Sequence, residues 1–163
     1  MSSKKSEKKI VNLKKAIAIT TKALSKDEKI KVSFSNDNSV FTKKEINLSP
    51  ITKKLSKNEI LVKRGFGDSI ALEKKLTDQN IFQKYEPKGG LALEIYKKME
   101  KTRCELIGEE DLPGTATNIN AKISDDIQKG DYENKYNENE IPLSLATSLM
   151  LREMHSRLSL PTT

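Results

Sequence analysis

The residues equipped for chemistry are few and scattered. The single histidine, His155, and the single cysteine, Cys104, fall in different predicted helices. A zinc site needs several Cys or His ligands at short, fixed spacings, and none occurs here. Arg103 precedes Cys104, and a neighbouring cation favours a thiolate. Yet no histidine is predicted nearby, and Cys104 flanks an apolar stripe, so it reads as a small packed residue. Glu109, Glu110 and Asp111 are adjacent, as are Asp125 and Asp126. Neither run alternates oxygen ligands around a turn glycine, as a calcium loop does, and both read as solvated charge. Gly65-Phe66-Gly67 lacks the third glycine of a phosphate loop and does not follow a strand. Pro87-Lys88-Gly89-Gly90 precedes a helix whose N-terminus is able to hold an anion; it reads first as a helix-breaking turn.

What remains is a polar set at helical spacings: Arg64, Asp68, Glu100, Arg103, Glu105 and Asn118. Arg64 and Asp68 are four apart, and Glu100 and Arg103 three apart, so each pair shares a helix face. The set has two readings. One is a surface that recognises a partner. The other is a network of helix-to-helix ion pairs, for which the arginine fork is well suited.

Composition narrows the classes. At 163 residues the chain holds one domain with a modest core, since apolar residues are 35% and charged residues 33%. The net charge is +7, but Lys supplies 26 of the 30 basic residues, and Asn and Ile are abundant beside it. An AT-rich genome writes that mixture, so charge alone names no anionic partner. Residues 4 to 31 nevertheless hold ten Lys against three acids, which keeps a nucleic-acid-binding domain as the alternative function. The scarcity of Arg and of aromatics, with Trp absent, argues against base stacking. One cysteine permits no internal disulfide, which fits a reducing cytosol. The start MSSKKSEKKI has no apolar core behind it and is not a secretory signal. No run is long enough to cross a bilayer, and the expected location is the cytoplasm.

The elements that position these residues are mostly helical. Residues 1–8 read as a flexible basic tail, and residues 9–160 as a single domain. Ile10, Leu13, Ile17 and Leu24 predict a helix from about Glu7 to Leu24. Ile30, Val32 and Phe34 alternate with polar residues and predict a strand. Asn36, Asp37 and Asn38 form turns, and a weaker extended run follows over Val40–Leu48. The two runs predict a small N-terminal β-hairpin packed on a helix. Ser56-Lys57-Asn58-Glu59 is a capping box that opens a helix toward Leu76. Gly65 and Gly67 within it mark close approach of another helix or a kink. After the break at Pro87, a helix carries Leu91, Ile95, Met99, Arg103 and Leu106 on one stripe, with Gly108 as its C-cap. Glu109–Thr117 reads as a loop. Ile119, Ile123 and Ile127 mark a short helix ending at Gly130, and residues 131–140 read as a loop. Leu145, Leu149, Met154 and Leu158 mark a last helix opened by Pro142.

The order of these motifs resembles one family. The pattern runs Glu59-Ile60-Leu61-Val62-Lys63-Arg64-Gly65, then Gly67-Asp68-Ser69-Ile70-Ala71-Leu72. Pro87-Lys88-Gly89, Ala92, Ile95-Tyr96, Met99-Glu100 and Arg103-Cys104-Glu105-Leu106-Ile107-Gly108 follow, then Gly114 and Asn118-Ile119. Weaker similarity reaches upstream to Lys31 and downstream to Glu153, so nearly the whole chain is covered. The chain resembles the N-terminal domain of CobT, a subunit of the aerobic, ATP-dependent cobaltochelatase.

The resemblance implies a subunit that supports insertion of Co(II) into hydrogenobyrinic acid a,c-diamide during cobalamin biosynthesis. It implies two partners, a CobS-type AAA+ ATPase and a CobN-type large subunit, and leaves oligomerisation open. The complex would use ATP, Mg2+ and Co2+, with none held by this chain, and a magnesium chelatase has an analogous architecture. No catalytic centre is expected in this chain alone. The family continues into a von Willebrand factor A-like domain, whose Asp-x-Ser-x-Ser motif is absent here. The chain also departs from the family's pattern. Thr77 and Phe82 stand where two histidines are frequent, and Asp111-Leu112 replaces an Arg-Met pair.

Overall fold

The computed structural model describes residues 2–35, 44–51, 56–132 and 140–158. Among them are six helices and two short strands: α1 (Ser2–Leu24), β1 (Lys31–Phe34), β2 (Glu45–Leu48), α2 (Lys57–Leu76), α3 (Gln79–Lys84), α4 (Gly90–Asp111), α5 (Pro113–Lys129) and α6 (Leu143–Leu158). The fold is mostly α, as the periodicity predicts. Helix α2 is the central element. It packs on α1, α4 and α5, while α6 lies against the outer side of α4.

The capping box forms as expected. Glu59 N–H donates to Ser56 Oγ at 3.1 Å, and Ser56 N–H donates to a Glu59 carboxylate oxygen at 2.6 Å. Two orphan amides of the first turn are thereby satisfied. Helix α2 then serves two apolar clusters. Ile70 joins Ile17, Ile30, Ile46, Leu48 and Ile51 on the α1 and strand side. Leu72 joins Cys104 and Ile119 on the α4 and α5 side.

The strands are where expected but pair differently. Lys31 lies opposite Glu45 and Phe34 opposite Leu48, in parallel, so the predicted hairpin is replaced by a two-stranded parallel sheet. Alternation sets the extended state and the buried face, not the strand direction. A strand of four residues spans only about 10 Å, and its local pattern leaves both directions open. The turn formers Asn36, Asp37 and Asn38, and Val40 at the start of the second run, lie outside the described residues. Asn47, within β2, closes the polar side of the sheet: Ser33 Oγ and Ser35 N–H both donate to its side-chain oxygen at 3.1 Å.

Three boundaries also differ. Helix α1 begins at Ser2, ahead of the predicted start near Glu7, so it takes in most of the stretch read as a tail. Helix α4 continues through Gly108 to Asp111, and α5 begins at Pro113, so the predicted loop over Glu109–Thr117 reduces to Leu112. Pro113 occupies the first turn of α5, where its missing N–H leaves no bond unmade. Thr115 Oγ then donates back to Gly108 O at 3.0 Å and fastens the corner. Gly108 is accordingly not a C-cap. Its face carries Leu72 so closely that no Cβ fits. The buried face of α4 is Thr102, Cys104, Glu105, Leu106 and Gly108; of the predicted stripe only Leu106 belongs to it, and Leu91 and Arg103 are exposed.

Gly65 and Gly67 have the close-approach role. A Cβ at Gly67 would stand 2.8 Å from Thr21 Oγ1 of α1. One at Gly65 would stand 2.8 Å from the carbonyl carbon of Asn118, and nearer still to its oxygen. Backbone cannot step aside, so Gly65→Ala must separate α2 from α5. Overpacking of this kind costs about 1–3 kcal/mol, more than the ~1 kcal/mol that alanine gains in a helix. Gly114, which faces open space, is the control. Urea denaturation should show Gly65→Ala destabilised and Gly114→Ala unchanged or slightly more stable.

Candidate functional site

The predicted polar set divides among three places. The first is at the junction of α2, α3 and α4. Arg103 forks onto Glu100: Nε donates to Oε2 and Nη2 to Oε1, each at 2.8 Å. The same Nη2 donates to Leu76 O at 3.0 Å, capping the end of α2. Thr77 Oγ1 donates to Glu100 at 2.8 Å. Hydrogen bonding from Arg103, foremost, and from Thr77 holds the Glu100 carboxyl below its ordinary range. Thr77 and Phe82 lie on either side of this junction. Phe82 stacks on Tyr96 with ring centres 4.6 Å apart, and Tyr96 Oη donates to Phe82 O at 3.1 Å.

The second place joins α2 to α5. Asp68 is buried and accepts from Asn118 Nδ2 at 2.8 Å. The expected Arg64–Asp68 ion pair does not form. Arg64 lies on the exposed side of α2, and its charge is the least of the influences on Asp68. Helical spacing of four leaves side chains free to diverge when one position faces the core. Burial raises the Asp68 pKa, which the Asn118 bond and Arg64 offset only in part.

The third place is the deepest. Glu105 is 4% exposed and accepts from Ser69 of α2 and from Arg152 of α6. Burial by itself would push its carboxyl up. The ammonium of Lys122, the guanidinium of Arg152 and the Ser69 hydroxyl outweigh that and hold it below its ordinary value. Arg152 also donates from Nη1 to Glu109 at 2.8 Å. Sequence reasoning missed Arg152, Ser69 and Lys122. The available signal was the run Ser144, Ser148, Arg152, one polar residue per helical turn. That run is the docking face of α6, in place of the predicted apolar one. Ser144 donates to Glu94, Ser148 and Thr102 share a hydrogen bond of 2.8 Å, and His155 meets Glu110 at 3.1 Å. The pairs advance together, so α6 runs parallel to α4.

Cys104 is fully buried, and burial pushes its thiol up to about 11. A thiol in that range stays protonated at neutral pH and is a packing group. Among the described residues no three His, Cys, Asp or Glu side chains gather as metal ligands, and no helix is long and apolar enough to cross a membrane.

This geometry belongs to a chain that matches the family described as cobalamin biosynthesis protein CobT over residues 7–163. The chain belongs to the CobT family. Membership places it in cobalamin biosynthesis as a subunit of a multi-subunit cobaltochelatase. No solved structure matches it. The CobT motif residues therefore do most of their visible work inside this fold: Gly65, Asp68 and Asn118 join α2 to α5, and Glu100 with Arg103 closes the α2–α4 junction.

Burial and charge set the expected effects of three substitutions. Arg152→Ala strands the Glu105 carboxylate in the interior and should cost about 3–5 kcal/mol in urea denaturation. Arg103→Ala, at a fork that is 45% exposed, should cost no more than about 1 kcal/mol. For Asp68, a raised folded pKa means that its contribution is present below the ordinary value of 3.8 and is lost as pH rises through the folded value. Asp68→Asn keeps a carbonyl for Asn118 and removes that loss. Relative to the wild type, the variant should gain stability between about pH 4 and pH 7, and the gap should close near pH 3.

Proposed function

We propose that this chain is a non-catalytic docking domain of a CobT-type subunit. It supports ATP-dependent insertion of Co(II) into hydrogenobyrinic acid a,c-diamide by binding a CobS-type AAA+ ATPase or a CobN-type large subunit. The observation that carries this reading is the family match across nearly the full length of the chain. The chemistry of the interior supports it. The deepest carboxylate, Glu105, is committed to Ser69 and Arg152, and Asp68 to Asn118. Those bonds hold helices together and leave the outer faces for recognition. ATP, Mg2+ and Co2+ are handled by the other subunits, in the cytoplasm.

The test mixes the whole chain with purified ATPase subunit, and separately with the large subunit, with and without ATP. Co-elution at micromolar concentration with one of them is expected. Reconstituted cobalt insertion should require the chain, and the chain alone should insert none. Failure to bind either subunit under any nucleotide condition overturns the reading, as does metallation of the corrin by the chain unaided. Binding to DNA or RNA that weakens steeply with salt, in place of subunit binding, would select the basic nucleic-acid-binding alternative.

A further inference from the structure

Helix α3 buries none of its residues. It has six residues, far below the length at which an isolated helix holds itself together in water. The fold nevertheless spends several interactions to keep it in place. Asp78 caps it, accepting from the amides of Asn80 and Ile81 at 2.9 and 3.1 Å. Phe82 is pinned on Tyr96 by the ring stack and the hydroxyl bond. The outward side of this anchored helix is apolar. Ile81 is 57% exposed and Tyr85 63% exposed, and they stand one turn apart on the same face.

Beside them is a cleft of about 230 Å3, walled by Leu76, Ile81, Phe82 and Tyr96 and rimmed by Asp78, Glu100 and Arg103. That is smaller than the roughly 300–1,000 Å3 of small-molecule sites and suits one large apolar side chain. Cations outnumber carboxylates in the surrounding segment: Lys84, Lys88, Lys97 and Arg103 stand against Asp78, Glu86 and Glu100. Of the nearby carboxylates, Asp78 caps α3, Glu86 meets Lys97 at 3.8 Å, and Glu100 is held by Arg103. Lys84 and Lys88 are exposed, and the Lys84 ammonium lies 5.2 Å from the Tyr85 ring centre. Aromatic anchors followed along the chain by two exposed lysines, Lys84 and Lys88, fit a partner of opposite charge.

We propose that α3 and its cleft are the docking face for an acidic segment of a partner protein. One apolar side chain of that segment fills the cleft over Phe82 and Tyr96, and flanking carboxylates meet Lys84 and Lys88. The proposal rests on the reading of the chain as a docking domain and names the face and the chemistry of what binds there.

The test uses the whole chain and the separately purified ATPase and large subunits, with binding isotherms at low and moderate salt. Wild-type binding to neither subunit removes the docking reading itself, and this proposal with it. Where the wild type binds, Ile81→Asp should weaken binding about tenfold while circular dichroism and melting stay unchanged, because the side chain is exposed. A loss of threefold or more supports the face, and a smaller one overturns it while leaving docking intact. Lys84→Glu combined with Lys88→Glu should weaken binding and flatten its salt dependence. Unchanged or tighter binding overturns the acidic character of the partner. Met150→Asp, on the exposed side of α6, should bind as the wild type does; a greater loss there than with Ile81→Asp moves the interface to α6 and overturns the proposal.

Discussion

Glu105 is the constraint around which the helices are arranged. A carboxylate that is 4% exposed is tolerable only if neighbours replace the water it has lost. Here the replacement comes from three directions. Ser69 reaches it from α2, Arg152 from α6, and the Lys122 charge acts from α5. The two donors and the Lys122 charge lie on three different helices, so the carboxylate is satisfied only when all of them are in place. Sliding α6 by one turn would bring Ser148 or Ser156 to the position of Arg152 and leave Glu105 buried without its guanidinium. A buried ion pair adds little net stability over an apolar replacement. What this one supplies is intolerance of the wrong register. The glycines act in the same direction by contact: Gly65 admits α5, Gly67 admits α1 and Gly108 admits Leu72, each at a distance that a methyl group would forbid.

Much of this scaffold is legible in the sequence because local chemistry decides it. The capping box at Ser56 and the break at Pro87 require no tertiary information, and α2 and α4 start where those signals place them. The errors occur where local rules leave a choice. Pro113 and Gly114 read as a loop, yet proline is as suitable in the first turn of a helix as in a turn, and packing of α4 on α5 selects the helix. An alternating run and a weaker extended run with turn formers between them suggest a hairpin, but alternation does not encode strand direction. Gly108 has the signature of a C-cap, and its place after an apolar run is explained instead by the side chain of Leu72 on another helix.

The polar set divides by the same logic. Glu100–Arg103 forms because three-residue spacing on one helix is sufficient geometry and the end of α2 supplies a further acceptor, Leu76 O. Arg64–Asp68 does not form because position 68 faces α5 and position 64 faces water. Spacing alone treats both pairs alike; burial separates them. The partner of Asp68 is Asn118, fifty residues along the chain, and that of Glu105 is Arg152, forty-seven along. No helical periodicity links such positions.

An inverted amphipathicity follows from spending polar residues on the interior. Helix α6 docks through Ser144, Ser148 and Arg152, which turns Leu143, Met150 and Met154 toward water. The consequence for recognition differs between the two apolar surfaces. On α6 the outward residues follow from how the inner face is used, because a helix with hydroxyls and a guanidinium on one side must place its remaining side chains on the other. No such explanation holds for α3. Its inward side contributes nothing fully buried, and its outward pair, Ile81 and Tyr85, is not the by-product of a polar inner contact. A surface that the fold maintains with a cap, a ring stack and a hydroxyl bond, without gaining core from it, is the one whose apolar character calls for a partner. The exposed apolar side of α6 is accounted for by Glu105.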